Sequence, residues 1–257
     1  MQPIPLNNKT FLVAGAAGLI GRTITAKLLE AGANVCALDV SIDTLRALQK
    51  HDVNDGRLML LELDITKREK IQEMFVLVNA RFGGIDGAVN AAYPRNKNYG
   101  RHFYEVEFAD FQENVGLHLG AYFIFMQQCA LYSGKNNSYF SLVNLSSIYG
   151  ATTPKFDIYE GTNMTMPVEY AAIKSGLQLI TRYASAYTSK HFRANCVSPG
   201  GIFDGQNPAF LEKYRNICQS KGMLDSQDII GAIAFLLSDH SRYVIGQNII
   251  VDDGFTL

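Results

Sequence analysis

From Thr10 to Val251 short apolar runs alternate with longer amphipathic segments, and this rhythm constrains the fold more than anything else in the chain. The strand candidates are Thr10–Ala14, Asn34–Leu38, Leu58–Leu63, Gly87–Asn90, Tyr139–Leu145, Phe192–Val197 and Asn248–Val251. Helical patterns lie between them near Leu19–Glu30, Ile42–Gln49, Lys67–Arg81, Phe108–Tyr132, Glu169–Ser189 and Ser226–Leu237. Most strand runs are apolar almost throughout, as strands covered on both faces should be. The alternation predicts an α/β fold: one doubly wound, Rossmann-type domain over residues 1–257, with a parallel sheet of about seven strands and helices on both faces. Right-handed crossovers would put every strand C-terminus on one rim, where ligands bind. Two stretches, 151–167 and 201–222, break the rhythm after strand ends and are expected to overhang that rim.

Composition removes several function classes. The 257 residues carry a formal net charge of −1 with no long run of one sign, unlike a nucleic-acid binder or a polybasic membrane anchor. No apolar run reaches the length of a membrane span, and Met1-Gln2-Pro3-Ile4-Pro5 lacks a signal peptide's regions. Cys36, Cys129, Cys196 and Cys218 are scattered, with no CxxC pair and no metal-ligand spacing. Reduced thiols in a cytoplasmic protein are the expectation.

The first strand runs into Ala14-Gly15-Ala16-Ala17-Gly18-Leu19-Ile20-Gly21, which opens a helix. Glycines here let the backbone turn tightly against a pyrophosphate, and the helix N-terminus offers that anion free N–H groups. A tight turn packed for steric reasons would look the same in isolation. Asp39, ending the second strand, would accept hydrogen bonds from an adenosine ribose and repel a 2′-phosphate. Val40-Ser41-Ile42 supply no Arg to receive one, so NAD is expected over NADP.

Tyr170-Ala171-Ala172-Ile173-Lys174 begins another helix, putting phenol and ammonium on one face. The cation is expected to lower the phenol's pKa and fit it for general acid/base work. Tyr93–Lys97 has the same spacing, but it follows a strand and contains Pro94, so it is set aside as a catalytic pair.

Taken in order, the glycine turn, Asp39, Val89-Asn90-Ala91-Ala92, Asn144-Leu145-Ser146-Ser147, Tyr170–Lys174 and Ser198-Pro199-Gly200 resemble the short-chain dehydrogenase/reductase family along essentially the whole chain. The resemblance implies that Ser147 holds the reacting oxygen, Tyr170 passes the proton and Lys174 assists while binding the nicotinamide ribose. It implies cofactor contacts at Gly15, Gly18, Leu19, Ile20, Gly21, Asp39, Asp64, Ile65, Asn90, Ala91, Ala92, Pro199, Gly200 and Ile202. It also implies a homotetramer or homodimer. The apolar stretch Leu117–Met126 is consistent with a helix buried at such an interface.

Four departures stand out. The glycine turn is GxxGxxG, the family's NNAG is reduced to Asn90-Ala91-Ala92-Tyr93, and His118 stands where the catalytic Asn is expected. His118 could move protons or serve structure. The segment between Ser147 and Tyr170 is longer than the family's usual. Its Tyr159 and Glu160, with Arg95 after the fourth strand, are candidate substrate contacts, and nearby Lys97 and Arg101 add to the suggestion of a polar, anionic substrate. A solvated loop with scattered basic residues accounts for the same residues.

Within the family the chain resembles the bacterial flagellin modification protein A oxidoreductases, a subgroup associated with nonulosonic acid supply for surface glycans. That implies a sugar substrate. A reductase of acyl chains or other carbonyls, suggested by the apolar Met164/Met166 and Phe203/Phe210 pairs, is an alternative, as is a dinucleotide-binding regulator without catalysis.

Overall fold

The protein is described by a computed structural model covering residue 4, residues 6–51 and residues 56–257. Seven parallel strands form one sheet: β1 (Thr10–Ala14), β2 (Asn34–Asp39), β3 (Leu58–Glu62), β4 (Gly87–Asn90), β5 (Phe140–Leu145), β6 (Phe192–Pro199) and β7 (Asn248–Val251). Their order is β3-β2-β1-β4-β5-β6-β7. The winding direction reverses between β1 and β4, which opens a crevice at the carboxyl ends of those strands.

Side chains alternate across the sheet, and each face has its own apolar layer. Phe11 and Val13 of β1 pack with Ile24, Leu28, Val35, Val143, Ile233 and Leu236. That layer lies under α1 (Leu19–Glu30) and a later helix, Ile230–Leu237. Leu12 and Ala14 face the opposite layer with Leu38, Met74, Phe125, Met126, Leu142 and Ala194. Cys36, Cys129 and Cys196 are buried, and all four cysteines are free thiols.

The remaining helices are α2 (Ile42–Leu45), α3 (Arg68–Phe82), α4 (Phe108–Val115), α5 (Ala121–Asn136), α6 (Val168–Tyr187), α7 (Pro208–Ile217) and α8 (Ile230–Leu237). The segment expected as a helix at Ile42–Gln49 holds only one α turn, Ile42–Leu45, before a 3-10 stretch over Arg46–His51, and α8 begins at Ile230 rather than Ser226. Three further helices differ from expectation. Phe108–Tyr132 is not one regular helix: a wide π turn at Gly116–Gly120 joins α4 to α5. The apolar character of Leu117–Met126 largely serves the chain's own core, because Ala121, Tyr122, Phe125 and Met126 are buried within it. In 201–222, α7 appears, capped by the Asn207 side chain accepting from Ala209 N, with Pro208 in its first turn.

The two rim segments do not overhang as open loops. Ile158 and Tyr159 from one, and Phe210 and Tyr214 from the other, form an apolar cluster with Tyr149 and Phe255. Lys213 on α7 donates to the carbonyls of Asp157 and Glu160 at 3.0 and 2.9 Å. Lys155 reaches the Phe255 carbonyl at 2.9 Å. The segments are thereby strapped together into one wall.

Candidate active site

At the reversal of strand order the β1–α1 turn is built from backbone. Gly15 has φ +76°, and a Cβ there would sit 2.7 Å from the backbone of Ala91 and Ala92. A Cβ on Gly21 would sit 2.0 Å from the Gly15 carbonyl oxygen. No side chain larger than hydrogen fits either place. Gly18 caps α1 without a side-chain hydrogen bond, and no acid occupies the first turn. Those N–H groups and the positive end of the helix are therefore available to an anion.

Asp39 closes this end. Its carboxylate accepts from Ala17 N at 2.9 Å and Val40 N at 2.8 Å, which ties the second strand to the glycine turn. A carboxylate has about four acceptor positions, so two such bonds leave capacity for a ligand. Asp64 accepts from Thr66 N at 2.9 Å, and Ile65 is buried beside it. Asn90 is fully buried, with its side-chain oxygen on Ala92 N and its carbonyl on the Tyr122 hydroxyl.

A cleft of about 720 Å³ starts at Gly18–Gly21 and continues past Ala91, Ala92, Ser147, Tyr170 and Lys174 to Pro199, Gly200 and Ile202. Its far end is walled by Tyr149, Tyr159, Met164, Met166, Phe210 and Met223. Arg95 also lines it, with its guanidinium stacked over the Tyr93 ring at 4.6 Å. Glu160 is exposed and does not line the cleft. Arg101 is turned away into an ion pair with Asp110. Phe203 is likewise outside, half exposed.

The centre of the cleft holds the polar groups. Ser147 follows β5, and its hydroxyl accepts from Tyr149 N at 3.2 Å. A hydrogen bond from Ser147 favours the ionised form of Tyr170, but burial outweighs it and raises the Tyr170 pKa above the ordinary phenol value. The expected downward shift is therefore absent here, because desolvation of the phenolate dominates. Lys174 donates to the Leu145 carbonyl at 2.7 Å and contacts His118 Nε2 at 3.4 Å. Rings of Tyr93, Tyr122 and Tyr170 surround its ammonium at 5.9, 5.3 and 5.6 Å. Burial pulls the Lys174 pKa down to about 7. Burial first, then repulsion from Lys174 and Arg95, holds His118 down to about 2, so its ring is neutral.

Sequence reasoning passed over several groups in this cluster. Tyr93 packs edge-on against both His118 and Tyr170, with centroids 4.9 and 5.9 Å away, although Lys97 of the same YxxxK match is exposed. Tyr149 and Tyr159 bring their hydroxyls within 3.2 Å of each other, and Tyr214 accepts from Gly201 N at 2.6 Å. Only Tyr149 had a local cue, two residues beyond Ser147.

A parallel sheet with a glycine-lined reversal point, and a serine, tyrosine and lysine meeting beside it, defines a dinucleotide-fold oxidoreductase. The chain belongs to the short-chain dehydrogenase/reductase family of NAD(P)-dependent enzymes acting on CH–OH groups, and a family profile described as enoyl-(acyl carrier protein) reductase matches residues 15–256. Over 98% of its length it is 39% identical to the whole of the post-translational flagellin modification protein A of Campylobacter coli. It is 31% identical to the 3-oxoacyl-[acyl-carrier-protein] reductase FabG of Thermotoga maritima, with 98% and 99% of the two chains covered. Among solved structures, a short-chain dehydrogenase from Leptospira borgpetersenii with bound NAD+ superposes with TM-score 0.86 at 29% identity, covering 98% of this chain and 94% of that one.

Proposed function

We propose that the protein is an NAD-dependent enzyme that interconverts a secondary alcohol and a ketone on a sugar phosphate or activated aminosugar, in the cytoplasm, for surface or flagellar glycan synthesis. The observation that carries this reading is the single cleft joining the glycine turn to Ser147, Tyr170 and Lys174. The glycine cradle fits a dinucleotide because a Cβ at Gly15 or Gly21 would strike backbone. Gly15, Gly18, Leu19, Ile20 and Gly21 would receive the pyrophosphate, and Asp39 the adenosine ribose, where its charge disfavours a 2′-phosphate. Asp64, Ile65, Asn90, Ala91 and Ala92 would flank the adenine and run beside the cofactor, with Pro199, Gly200 and Ile202 at the nicotinamide end. Bound NAD+ supplies the hydride acceptor.

In the oxidation direction Tyr170 takes the substrate's hydroxyl proton at its phenolic oxygen, and Ser147 donates a hydrogen bond to the reacting oxygen. The buried Lys174 ammonium stabilises the phenolate. Arg95 and Tyr159 would meet the rest of the substrate. The 39%-identical flagellin-modification relative supports the glycan setting. Apolar residues left exposed on α4 and α5 (Phe108, Phe123, Leu131) and on α6 (Leu179, Tyr183, Tyr187) support a homodimer or homotetramer. Among the described residues no helix is long and apolar enough to cross a membrane.

The test is NADH formation across a panel of amino-sugar phosphates and nucleotide sugars, run beside Tyr170→Phe. Turnover of a sugar is expected, with a loss of roughly 10²–10⁴-fold in the variant and little change in NADH binding. Undiminished turnover in Tyr170→Phe would sink the assignment. The apolar wall of Met164, Met166, Phe210 and Met223 favours one rival, an acyl-chain carbonyl reductase. Faster reduction of a β-ketoacyl thioester than of any sugar ketone would select it.

A further inference from the structure

Gln178 lies one helical turn beyond Lys174 on α6, so Tyr170, Lys174 and Gln178 follow one another down one face of that helix. The first two line the cleft and the third does not. Its side-chain nitrogen sits instead among three oxygens. They are the Ser146 hydroxyl at 3.1 Å, the Ser198 hydroxyl at 3.2 Å and the Ser147 carbonyl at 3.3 Å.

A carbonyl can only accept, so Nε2 and not Oε1 must face Ser147. Both hydroxyls have committed their hydrogens elsewhere. Ser146 donates to the Lys174 carbonyl at 3.1 Å, and Ser198 donates to Asn248 Oδ1 at 2.6 Å. Each is thereby left as an acceptor toward Gln178. One amide group thus ties α6 at Lys174, the end of β5 at Ser146 and Ser147, the end of β6 at Ser198 and, through Ser198, β7 at Asn248.

Ser147 needs such a support. The pairing of β5 with β6 ends at Leu145 and Val197, and the last backbone bond runs from Ser146 N to the Val197 carbonyl at 2.8 Å. Ser147 is the first residue beyond it. Its own carbonyl takes Gly150 N at 3.0 Å, closing the turn Ile148–Gly150, and Gln178 ties that turn to α6. The turn rests directly on the helix: a Cβ at Gly150 would stand 2.5 Å from Gln178 Nε2 and 2.6 Å from the Lys174 carbonyl oxygen. The seat of this turn on α6 sets where the Ser147 hydroxyl stands relative to Tyr170 and Lys174.

We propose that Gln178 is a positioning residue for the reaction, whose amide holds the Ser147 hydroxyl where it and the Tyr170 phenol meet the same oxygen atom. This rests on the reading of Ser147 and Tyr170 as the pair at the reacting oxygen. Gln178 acts through Ser147. Misplacing a reacting group by about 1 Å can cost on the order of 10²-fold in rate, so a hold of this kind has a long lever.

Two experiments test it. Gln178→Met keeps the length of the side chain and removes both donors. With any secondary alcohol the enzyme oxidises, kcat per NADH-binding site should fall roughly 10- to 100-fold, with KM and NADH affinity near the parent's. Counting rates per binding site removes any loss of folded protein. A packing role predicts the same fall in a Ser147→Ala background. Action through Ser147 predicts that the slow residual rate of Ser147→Ala changes by less than about twofold on adding Gln178→Met. Equal losses in the two backgrounds, or no loss in the single variant, overturn the proposal. The second test needs neither a variant nor a substrate. A crystal structure of the unaltered protein with NAD bound should show Gln178 Nε2 within hydrogen-bonding distance of the Ser147 carbonyl, and an amide turned out to solvent overturns the proposal. That result stands whether or not any sugar in the panel is turned over, and whether or not Tyr170→Phe loses activity.

Discussion

The two ends of the cleft are built on different principles. At the β1–α1 turn the chain's own backbone forms the surface, and three glycines with one carboxylate define it within 25 residues of sequence. At the far end the surface is side chains from 149–167, 201–223 and the C-terminal segment, held together by aromatic packing and by Lys155 and Lys213 on carbonyl oxygens. A backbone cradle tolerates almost no substitution but fits a common ligand part. A side-chain wall can be re-lined residue by residue while its frame stays put. This division suits an enzyme that keeps its cofactor and changes its substrate.

The sharpest way to break the comparison is Gly21→Ala. Its Cβ would meet backbone oxygen at 2.0 Å with no flexible neighbour to give way. NADH affinity should fall by more than about 100-fold, close to 3 kcal/mol, in a fluorescence titration. A loss under threefold would mean that the cradle is not rigid. Asp39→Ser comes next. Removing the carboxylate should shift the ratio of kcat/KM for NAD over NADP by roughly 30-fold, or about 2 kcal/mol, toward NADP. An unmoved ratio would assign Asp39 to turn closure alone, through Ala17 and Val40.

Lys174 sits where the two ends meet, and its pKa of about 7 makes it a probe of burial. The unfolded chain, with Lys near 10.4, binds more protons between pH 7 and 10 than the folded one. This group therefore makes the fold more stable as pH rises through that window, by roughly 1 kcal/mol per pH unit, and costs most below pH 7. Lys174→Met should flatten that slope in urea unfolding at pH 7 and 9. The smallest effect belongs to the wall. Lys213→Met frees Asp157 and Glu160 from α7 and should raise the substrate KM about threefold, under 1 kcal/mol, leaving NADH binding unchanged. Equal changes in both constants would show the two ends to be coupled.

What could be read from the sequence follows the same division. Strand bounds came within one or two residues because period and length are local properties, and β1, β4 and β7 match end to end. Asp39 and Gly15–Gly21 were legible because a turn's chemistry lies in consecutive residues. The extra helix α7 was not, although Asn207-Pro208 is a start signal, since its apolar face rests mainly on Phe210 and Tyr214. Glu160 and Arg101 were proposed as polar and basic rim residues from position alone; tertiary contacts turned one to solvent and the other to Asp110. Tyr93 looked like half of a rejected motif, and only packing brings its ring against Tyr170. The pKa of Tyr170 went the other way from expectation because spacing gives a cation's proximity but not the water removed around a phenol.

The turn at Gly116–Gly120 has an effect on how this chain can vary in length. In an α-helix each residue advances about 100° around the axis. A wider turn shifts the azimuth of everything beyond it. Asn114 can thus aim toward the segment after β4 while Tyr122, Phe125 and Cys129 aim into the core layer. Gain or loss of one residue inside those five positions would rotate one half of the rod against the other and swing its side chains off their targets.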